Sequence, residues 1–552
     1  MADGQLDLVV IGAGPHALSL LARLIDDEPD LLTERERVTV AKKAGTKGRS
    51  HGTIRKHLKR KFNAAERLPR VVVIDAHGRF MAQWEADFAA LDIRHTRSHA
   101  DLHPCPYDFA SLRVWAEMHH RQDELVHMVH LQREAARAKG YGGPFNLPGS
   151  RLFLDFCASL VERYGLAPLV RQGFVEDVKA VPSAIEGGSC TFEVRLSDGT
   201  RLAARRVVCA MGPGPMFAGM RATLPWWAED LAASLANAPV EATNASTIVP
   251  SSRMQHSSQL TSWLRQADVE AHAALSDRRI LIVGGGQTAA HLALLAARRG
   301  ASRVTILARR RITRKPYDVD LEAVGDRRAQ VLGQFWKLDE PCARLQFIAA
   351  LRGGGSMSDD VYHELLKYAA DAADDTEASG AADGTVAAVR ASAEAPAQEG
   401  AGVHGGGGPR GRLDILEEVE VSEASWRPHE PGGKPDGAGG GQIVVGFDDG
   451  RDAAFDYVWL ATGGNLDLGL VPILASMHTQ RPIDTANGLP VLRPDLSWDA
   501  GCPLYVMGAF AQLELGADAL NLAGARSGSV LVAKALLEAA DDDKIARQVP
   551  VS

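Results

Sequence analysis

The chain has 552 residues, of which 45% are hydrophobic, and this length allows two or three domains that each bury a core. Its formal net charge of −8 gives no electrostatic reason to expect nucleic acid or an anionic membrane as a partner. Since no apolar run reaches about 18 residues and the first residues lack the pattern of a secretory signal, we expect a cytoplasmic protein without a membrane span.

The first predicted unit is a strand, a tight turn and a helix near the N-terminus. The apolar run Leu8–Ile11 leads into Gly12-Ala13-Gly14-Pro15-His16-Ala17, and leucines at helical spacing follow. The turn matches G-x-G-x-x-A through Gly12, Gly14 and Ala17. A dinucleotide pyrophosphate needs backbone N–H donors, a helix N-terminus and no obstructing Cβ, so this pattern favours a dinucleotide site.

The next predicted strand, residues 71–74, ends at Asp75. A carboxylate in this place accepts hydrogen bonds from ribose hydroxyls, which favours FAD. Asp75 follows Gly12 by 63 residues, where about 20 is usual. A nearer predicted strand, 37–40, has no acid at its end, and we therefore assign the extra length to a basic surface insertion over about 42–67.

A hairpin followed by a buried strand is predicted twice. The first copy comprises residues 192–196, 198–199 and 206–210, and the second comprises 443–447, 449–450 and 456–460. The first copy ends in Met211-Gly212 and the second in Ala461-Thr462-Gly463. The repeat predicts two related nucleotide-binding halves.

A second strand, turn and helix lies between these copies. Residues 279–283 run into Gly284-Gly285-Gly286-Gln287-Thr288-Ala289, again G-x-G-x-x-A. The following strand, 304–307, ends at Ala308 and is followed by Arg309, Arg310 and Arg311. Because arginine pairs with a 2′-phosphate, this unit favours NADPH over NADH, the alternative being a solvated surface turn. Residues from about 370 to 441 are rich in Ala and Gly, and we expect a largely mobile insertion with a strand at 413–421.

Six cysteines are spread along the chain without the spacing of a redox pair or a metal site. They are Cys105, Cys157, Cys190, Cys209, Cys342 and Cys502. We therefore expect reduced thiols, no disulfide and no metal.

These motifs resemble those of the two-dinucleotide-binding flavoproteins, and within them the lysine N6-hydroxylases and ornithine N5-oxygenases. Oxidative-stress-induced growth inhibitor proteins are similar as well. Besides the two turns, the resemblance rests on residues 75–84, 97–98, 103–104, 147–153, 256–257, 460–463 and 516–526. In N-hydroxylases a tyrosine usually follows the Ala-Thr-Gly element, whereas this chain has Gly464.

The resemblance implies an α/β fold with two Rossmann-like dinucleotide-binding domains, the NADPH domain being inserted into the FAD domain. We expect the first part of the FAD domain over residues 1–250, the NADPH domain over 275–455, and the return to the FAD domain with a C-terminal helix over 456–552. The resemblance further implies an NADPH-dependent flavin monooxygenase, in which a C4a-hydroperoxyflavin oxygenates a primary amine or another soft nucleophile. The partners would be a small-molecule substrate and O2, and a homo-oligomer stays open.

The resemblance also assigns roles to single residues. Asn521, at the start of the C-terminal helix, is expected to contact the flavin, and Arg97 to contact the flavin or an anionic substrate, with an exposed loop arginine as the alternative. His256 and Ser257 could touch phosphates or ribose. The expected cofactor-binding residues are Gly12, Gly14, Pro15, Ala17, Asp75, Trp84, Gly284, Gly286, Gln287, Thr288, Arg309, Arg310, Thr462, Gly463, Gly516 and Leu520.

Two other functions are weighed against the monooxygenase. A regulatory protein that binds FAD and NADPH with little or no turnover is favoured by Gly464 and the long glycine-rich insertion. A disulfide reductase would need a pair of redox cysteines beside the flavin, and the chain has no C-x-x-C or C-x4-C pattern.

Overall fold

The computed structural model describes residues 5–41, 48–129, 131–132, 143, 145–182, 189–211, 220–236, 253–266, 275–325, 327–379, 412–428 and 441–548. Over these residues the chain forms two Rossmann-like α/β units, each built on a parallel sheet with a three-stranded antiparallel sheet beside it. No helix among the described residues is long and apolar enough to cross a membrane.

The first sheet has six strands. In spatial order they are Ser497–Asp499, Cys502–Val506, Val207–Cys209, Leu8–Ile11, Val71–Asp75 and Val170–Gln172. Neighbours are parallel except for the first pair, which is antiparallel. Every residue of Leu8–Ile11 is buried, as expected for an inner parallel strand whose two faces are both covered.

The second sheet has five parallel strands. In spatial order they are Met254–His256, Tyr457–Leu460, Arg279–Val283, Arg303–Ala308 and Arg412–Glu417. Ile280 and Ile282 pack in a core with helix Gln287–Arg298, whereas Leu281 belongs to a second core with the antiparallel strands. Burial on both faces explains why the sequence of this strand is an unbroken apolar run.

The antiparallel sheets confirm the internal repeat. Their strands are Val175–Val181, Thr191–Leu196 and Arg201–Ala204 in the first unit, and Val421–Pro428, Gly441–Phe447 and Asp452–Phe455 in the second. In each unit the hairpin leads into a strand that pairs with the strand preceding the glycine turn. Further strand pairs are Met220–Ala222 with Gly464–Leu466, Thr313–Arg314 with Ser356–Met357, Thr485–Ala486 with Leu489–Pro490, and Leu125–His127 with Asn146–Pro148.

Helices cover the sheets and connect the two units. They are Pro15–Ile25, Glu34–Ala41, His51–Leu58, Ala64–Arg67, Ala82–Ala90, Ser111–Met118, Ser150–Tyr164, Ala228–Ala236, Ser257–Gln266, Gln287–Arg298, Leu321–Val324, Arg328–Phe335, Pro341–Arg352, Asp359–Ser379, Ala475–Gln480, Gln512–Leu515 and Leu522–Gln548. Pro15 opens the first helix, where its missing N–H costs nothing. Gly165 ends Ser150–Tyr164 with a φ of 64°, the left-handed conformation that glycine tolerates.

The strand expected at 37–40 is wrong, because Glu34–Ala41 is a helix. The residues before it form a capping box. Glu36 accepts hydrogen bonds from the Thr33 backbone N–H at 2.8 Å and from the Thr33 hydroxyl at 2.9 Å, and its own N–H donates to that hydroxyl at 3.2 Å. The Thr-x-x-Glu pattern is a helix-start signal that outweighs the β-branched residues that follow.

Two other expectations need correction. The strand expected at 413–421 is two strands, Arg412–Glu417 and Val421–Pro428, because Glu418 takes a φ of 59° that breaks an extended chain. The described part of the basic stretch forms helices His51–Leu58 and Ala64–Arg67, which bury Ile54 and His57 rather than lying wholly in solvent. Residues 42–47, and most of the glycine-rich insertion at 380–411 and 429–440, lie outside the described residues.

The strands also refine the expected boundaries. Met254–His256 and Tyr457–Leu460 both belong to the second sheet, so this unit begins before residue 275 and extends past 455. The first sheet is completed only by Ser497–Asp499 and Cys502–Val506. The assignment of the first unit to FAD and the second to NADPH stays a prediction.

Candidate functional site

The first glycine turn, Gly12 to Pro15, follows the central strand of the first sheet. Gly12 has a φ of 98°, and a Cβ at this position would lie 2.6 Å from the Ala210 carbonyl oxygen, so only glycine fits. Gly14 precedes the helix, and a Cβ on it would meet nothing within 4 Å. Ala17 is fully buried where the helix packs against the sheet. The turn therefore leaves open space in front of a helix N-terminus.

Asp75 lies at this turn, as its place at a strand end predicts. One carboxylate oxygen accepts the Ala13 backbone N–H at 3.0 Å, and the other accepts the His77 backbone N–H at 2.8 Å. Each carboxylate oxygen can accept more than one hydrogen bond, so both retain capacity for a hydroxyl donor.

The second glycine turn, Gly284 to Gln287, repeats this construction. Gly284 has a φ of 144°, and a Cβ there would lie 2.4 Å from the Ala461 carbonyl oxygen. Gly286 precedes helix Gln287–Arg298, and Ala289 is fully buried. Ala210 and Ala461 follow equivalent strands of the two sheets, so each turn is fixed by the same close backbone approach.

A run of three glycines, Gly353 to Gly355, lies beside the second turn and has no counterpart among the described residues at the first turn. A Cβ on Gly286 would lie 3.5 Å from the Gly355 Cα, whereas the matching position in the first turn is open. The Gln287 side-chain oxygen accepts the Ser358 backbone N–H at 2.8 Å, and its amide lies 3.2 Å from the Ser358 hydroxyl. Residues 353–358 therefore border the second turn, although the only sequence signal was the run of three glycines.

Arg309 and Arg310 follow strand Arg303–Ala308 directly and are exposed. This strand end adjoins the second turn, because the Gly284 N–H donates to the Leu307 carbonyl at 2.8 Å. Neither arginine forms an ion pair with a described residue, so both charges are available to an anion. Thr288, in the first turn of the helix, is exposed as well.

Arg97 links the two units. Its guanidinium donates to the carbonyl oxygens of Lys315 at 2.8 Å, Tyr317 at 3.0 Å and Ser356 at 3.1 Å, and to the Ser356 hydroxyl at 2.9 Å. Burial lowers the pKa of Arg97. The alternative of an exposed loop arginine is therefore wrong.

A small cleft of about 30 Å³ lies beside Arg97, between residues 97–102, 317–328 and 518–523. His99 lines it, and burial, with the nearby charges of Arg328 and Arg113, lowers the pKa of His99 to about 3. Arg328 is paired with Asp518 in the same wall. The cleft therefore presents a neutral imidazole and charges that are already paired.

Among the described residues, no group of three or more His, Cys, Asp or Glu side chains could hold a metal ion. No protein-family model matches the sequence, and no curated protein matches it.

Solved structures nevertheless resemble the chain over nearly its whole length. An ornithine N-hydroxylase from Kutzneria sp. 744, with reduced FAD, NADP⁺ and L-ornithine, superposes with a TM-score of 0.56 at 15% identity, covering 97% of this chain and 100% of that one. An L-lysine 6-monooxygenase from Pseudomonas syringae gives 0.54 at 17%, covering 97% and 100%. An FAD-bound cadaverine monooxygenase from Erwinia amylovora gives 0.54 at 13%, covering 97% and 95%.

The chain has the fold of these N-hydroxylases. Gly464 stands where the resemblance leads us to expect a tyrosine, and the structure gives a reason for the glycine. Strand Gly464–Leu466 pairs with Met220–Ala222, and a Cβ on Gly464 would lie 2.7 Å from the Arg221 carbonyl oxygen. A tyrosine cannot occupy this position without separating the two strands.

Within this N-hydroxylase fold, the Ala-Thr-Gly element is held by neighbouring backbone and by His256. The Thr462 hydroxyl donates to the Thr223 carbonyl at 2.6 Å, and the Gly463 carbonyl accepts the Thr223 N–H at 3.0 Å. The His256 Nε2 lies 3.0 Å from the same Gly463 carbonyl, and its Nδ1 lies 2.8 Å from the Ser258 hydroxyl. Burial lowers the pKa of His256. Both ring nitrogens of His256 thus have partners within the protein.

Asn521 caps the C-terminal helix. Its side-chain oxygen accepts the Ala523 N–H at 2.8 Å, and its amide lies 3.4 Å from an Asp318 carboxylate oxygen at the cleft. Gly516 ends the preceding short helix with a φ of 87°, and Leu520 is half-buried between the two. The expected helix start is therefore in place, and its N-terminus faces the cleft that Arg97 also lines.

Trp84 packs in the core of the first unit. Its ring stacks on Phe88 with centroids 3.5 Å apart and lies 5.3 Å from Phe153. The Met81 N–H donates to the Ala13 carbonyl at 2.8 Å, which fixes the start of this helix beside the first turn. Trp84 thus packs among aromatic side chains in the first unit, and its contact with a cofactor stays a prediction.

Proposed function

We propose that the chain is an FAD- and NADPH-dependent monooxygenase that hydroxylates a primary amine or another soft nucleophile, with O2 as co-substrate. The observation that carries this proposal is the repeated turn, with Gly12 against Ala210 and Gly284 against Ala461. Two pyrophosphate cradles in one chain allow one bound nucleotide to reduce the other. The Kutzneria enzyme, solved with FAD and NADP⁺, supports the same pairing, and the Erwinia enzyme, solved with FAD, supports the flavin.

The residues of the first turn fit FAD. Gly14 has open space in front of it, which lets a pyrophosphate approach the helix N-terminus. Asp75 retains acceptor capacity for the adenosine ribose. When bound there, the flavin would accept hydride from NADPH and supply the chemistry that activates O2.

The residues of the second turn fit NADPH. Arg309 and Arg310 are exposed at the strand end, where a 2′-phosphate would lie. Thr288 offers a hydroxyl at the helix start. The Gly355 backbone packs directly against Gly286, so residues 353–358 form one wall beside the second turn.

The cleft suits an uncharged nucleophile. Its neutral His99 and the paired Arg328 and Asp518 leave little net charge to hold an ammonium ion. Burial in such a place disfavours the protonated form of an amine, and the neutral amine is the form that can accept an oxygen atom. The chain would therefore contribute desolvation and orientation.

Matched glycine substitutions test the proposal. Gly12→Ala should reduce FAD content at least tenfold, whereas Gly284→Ala should retain FAD and lose its reduction by NADPH, because each Cβ collides with a backbone carbonyl at one turn only. Gly199 and Gly450 are the matched controls. They lie in the two hairpins with φ values of 82° and 83°, and a Cβ on either would meet nothing within 4 Å. FAD absorbance and anaerobic reduction by NADPH are the measurements.

The second candidate function is an FAD- and NADPH-binding regulatory protein with little turnover. Gly464, which stands where a tyrosine is usual in N-hydroxylases, and the long glycine-rich insertion favour this second candidate. A screen of NADPH oxidation with amines, sulfides and ketones separates the two. If NADPH oxidation is no faster with the protein than with free flavin for any of these compounds, the result would support the regulatory protein and end the enzyme proposal.

A further inference from the structure

Two cysteines that lie 312 residues apart in the sequence meet at the edge of the first sheet. Cys190 directly precedes strand Thr191–Leu196 of the antiparallel sheet, and Cys502 opens strand Cys502–Val506 of the parallel sheet. The Cys190 N–H donates to the Gly501 carbonyl at 3.0 Å, and the two thiols form a hydrogen bond. They are only 5% and 2% exposed, so the pair is packed in place.

The charges around the pair make the two thiols unequal. The hydrogen bond from Cys502 lowers the pKa of Cys190, and the Arg481 guanidinium lowers it further, against the opposing effects of burial and Asp499. The same contact raises the pKa of Cys502, which stays protonated as the donor. Arg481 is fixed by two hydrogen bonds to Asp499, at 2.6 and 2.8 Å.

The buried cysteines Cys157 and Cys209 lack this environment. Burial raises the pKa of Cys209 to about 12 and also raises that of Cys157, and no charged neighbour opposes it at either thiol. Buried thiols of this kind are inert, whereas a thiol with a lowered pKa beside a cation and a second thiol ionises more readily and reacts as the thiolate.

We propose that Cys190 and Cys502 are a redox-active pair that closes to a disulfide when the protein meets hydrogen peroxide. The Cys190 thiolate attacks one peroxide oxygen, the O–O bond breaks, and the departing hydroxide takes a proton to give water and a Cys190 sulfenic acid. The Cys502 sulfur then attacks the Cys190 sulfur, the S–O bond breaks, and a second water leaves with the Cys502 proton. Two thiols and one peroxide thus become one disulfide and two waters.

The cross-link would fix the antiparallel sheet to strand Cys502–Val506, whose C-terminal end lies near the first glycine turn. Strand Cys502–Val506 pairs with Val207–Cys209, and Gly508, just beyond it, lies beside His16 at the start of the helix that follows the turn. A bond that closes so long a loop restricts the unfolded chain, so the oxidised protein should be the more heat-stable form.

Peptide mapping of the full-length protein tests the pair directly. Reduced protein is incubated with hydrogen peroxide, alkylated under denaturing conditions and digested without reductant. We expect a peptide containing Cys190 linked to one containing Cys502, an intact mass lower by two hydrogens, and full reversal by dithiothreitol. The melting temperature should rise on oxidation by a few degrees.

Two variants provide controls. Cys190→Ser should abolish the linked peptide and the rise in melting temperature, whereas Cys342→Ser, at an exposed thiol, should leave both unchanged. If peroxide oxidises Cys342 while Cys190 and Cys502 are recovered as separately alkylated thiols, the proposal is overturned. Mapping of the unsubstituted chain gives this answer even if Cys190→Ser does not fold.

Discussion

The arginines after strand Arg303–Ala308 carry the expected choice between the two nicotinamide cofactors. Replacing Arg309 and Arg310 with alanine removes charge-assisted contacts to a 2′-phosphate, each of which contributes about 1.5–3 kcal/mol. We expect the KM for NADPH to rise at least tenfold and the KM for NADH to stay nearly constant.

Steady-state kinetics with both nucleotides check this expectation. Arg201→Ala, at an exposed arginine of the first unit, is the control and should change neither constant. Equal increases in both KM values would contradict a role in binding the 2′-phosphate.

Asn521 combines a structural contact with an expected flavin contact, and two substitutions separate them. Asn521→Ala removes the helix cap and should destabilise the protein by about 1 kcal/mol, whereas Asn521→Ser keeps a capping oxygen. If the amide contacts the flavin, both variants should bind FAD several-fold more weakly. FAD titration and melting curves are the measurements, and normal FAD affinity in the serine variant would limit Asn521 to capping.

At the scale of elements, helices Arg328–Phe335 and Pro341–Arg352 of the second unit pack against the short helix Gln512–Leu515, which precedes the C-terminal helix. Arg344 donates to the Leu513 carbonyl at 2.7 Å, and Arg352 donates to the Ala517 carbonyl at 3.0 Å. The Trp336 indole N–H donates to the Glu514 carbonyl at 3.0 Å. These contacts hold the two helices of the second unit against the segment that leads into the C-terminal helix.

Arg97 lines the cleft and joins the first unit to two segments of the second unit. Arg97→Met should destabilise the protein by about 3 kcal/mol, because it leaves the carbonyls of Lys315, Tyr317 and Ser356 without their donor. It should also raise the KM for NADPH, since Ser356 belongs to the segment that borders the second turn.

Melting temperature and NADPH kinetics test this Arg97 clamp, by which we mean the hydrogen bonds of the Arg97 guanidinium to Lys315, Tyr317 and Ser356. Arg94→Met, at an exposed arginine of the same segment, is the matched control. Arg97→Lys should recover only part of the loss, because an ammonium cannot reproduce the geometry of the guanidinium. A variant Arg97→Met with unchanged stability would refute the clamp.

At the scale of the whole molecule, buried histidines make stability depend on pH. Burial, with nearby arginine charges, lowers the pKa values of His99 and His103 to about 3. The unfolded chain therefore binds more protons below pH 6.5, and stability falls as the pH decreases from there. As the pH falls from about 6.5 to 5, each of these histidines should lower the free energy of unfolding by about 2 kcal/mol.

His95 opposes this trend. Burial disfavours its charge, but the ion pair with Asp360, at 2.6 Å, raises the pKa of His95 overall, so it favours the folded state below pH 6.5.

We expect the melting temperature to fall between pH 7.5 and 5.5. His103→Gln should reduce this fall and His127→Gln, at an exposed histidine, should not. A melting temperature independent of pH would contradict the argument.

The sequence by itself determined the parts of the fold that depend on local geometry. Gly12 and Gly284 are required because a side chain would collide with backbone, and a run of buried apolar residues identifies each inner strand. The Thr33 to Glu36 capping box was equally local, and reading it would have replaced the expected strand at 37–40 with a helix. The roles of Arg309, Arg310 and Asn521 at bound cofactors stay predictions.

Tertiary structure alone decided which distant residues meet. Arg97 reaches three carbonyls more than 200 residues away, Gly355 approaches Gly286, and Cys190 meets Cys502 across two sheets. No spacing in the sequence encodes such contacts, because they depend on how sheets and helices pack once they have formed. Steric limits on single residues can be read along the chain, whereas partners across the fold are fixed only when the packing brings them together.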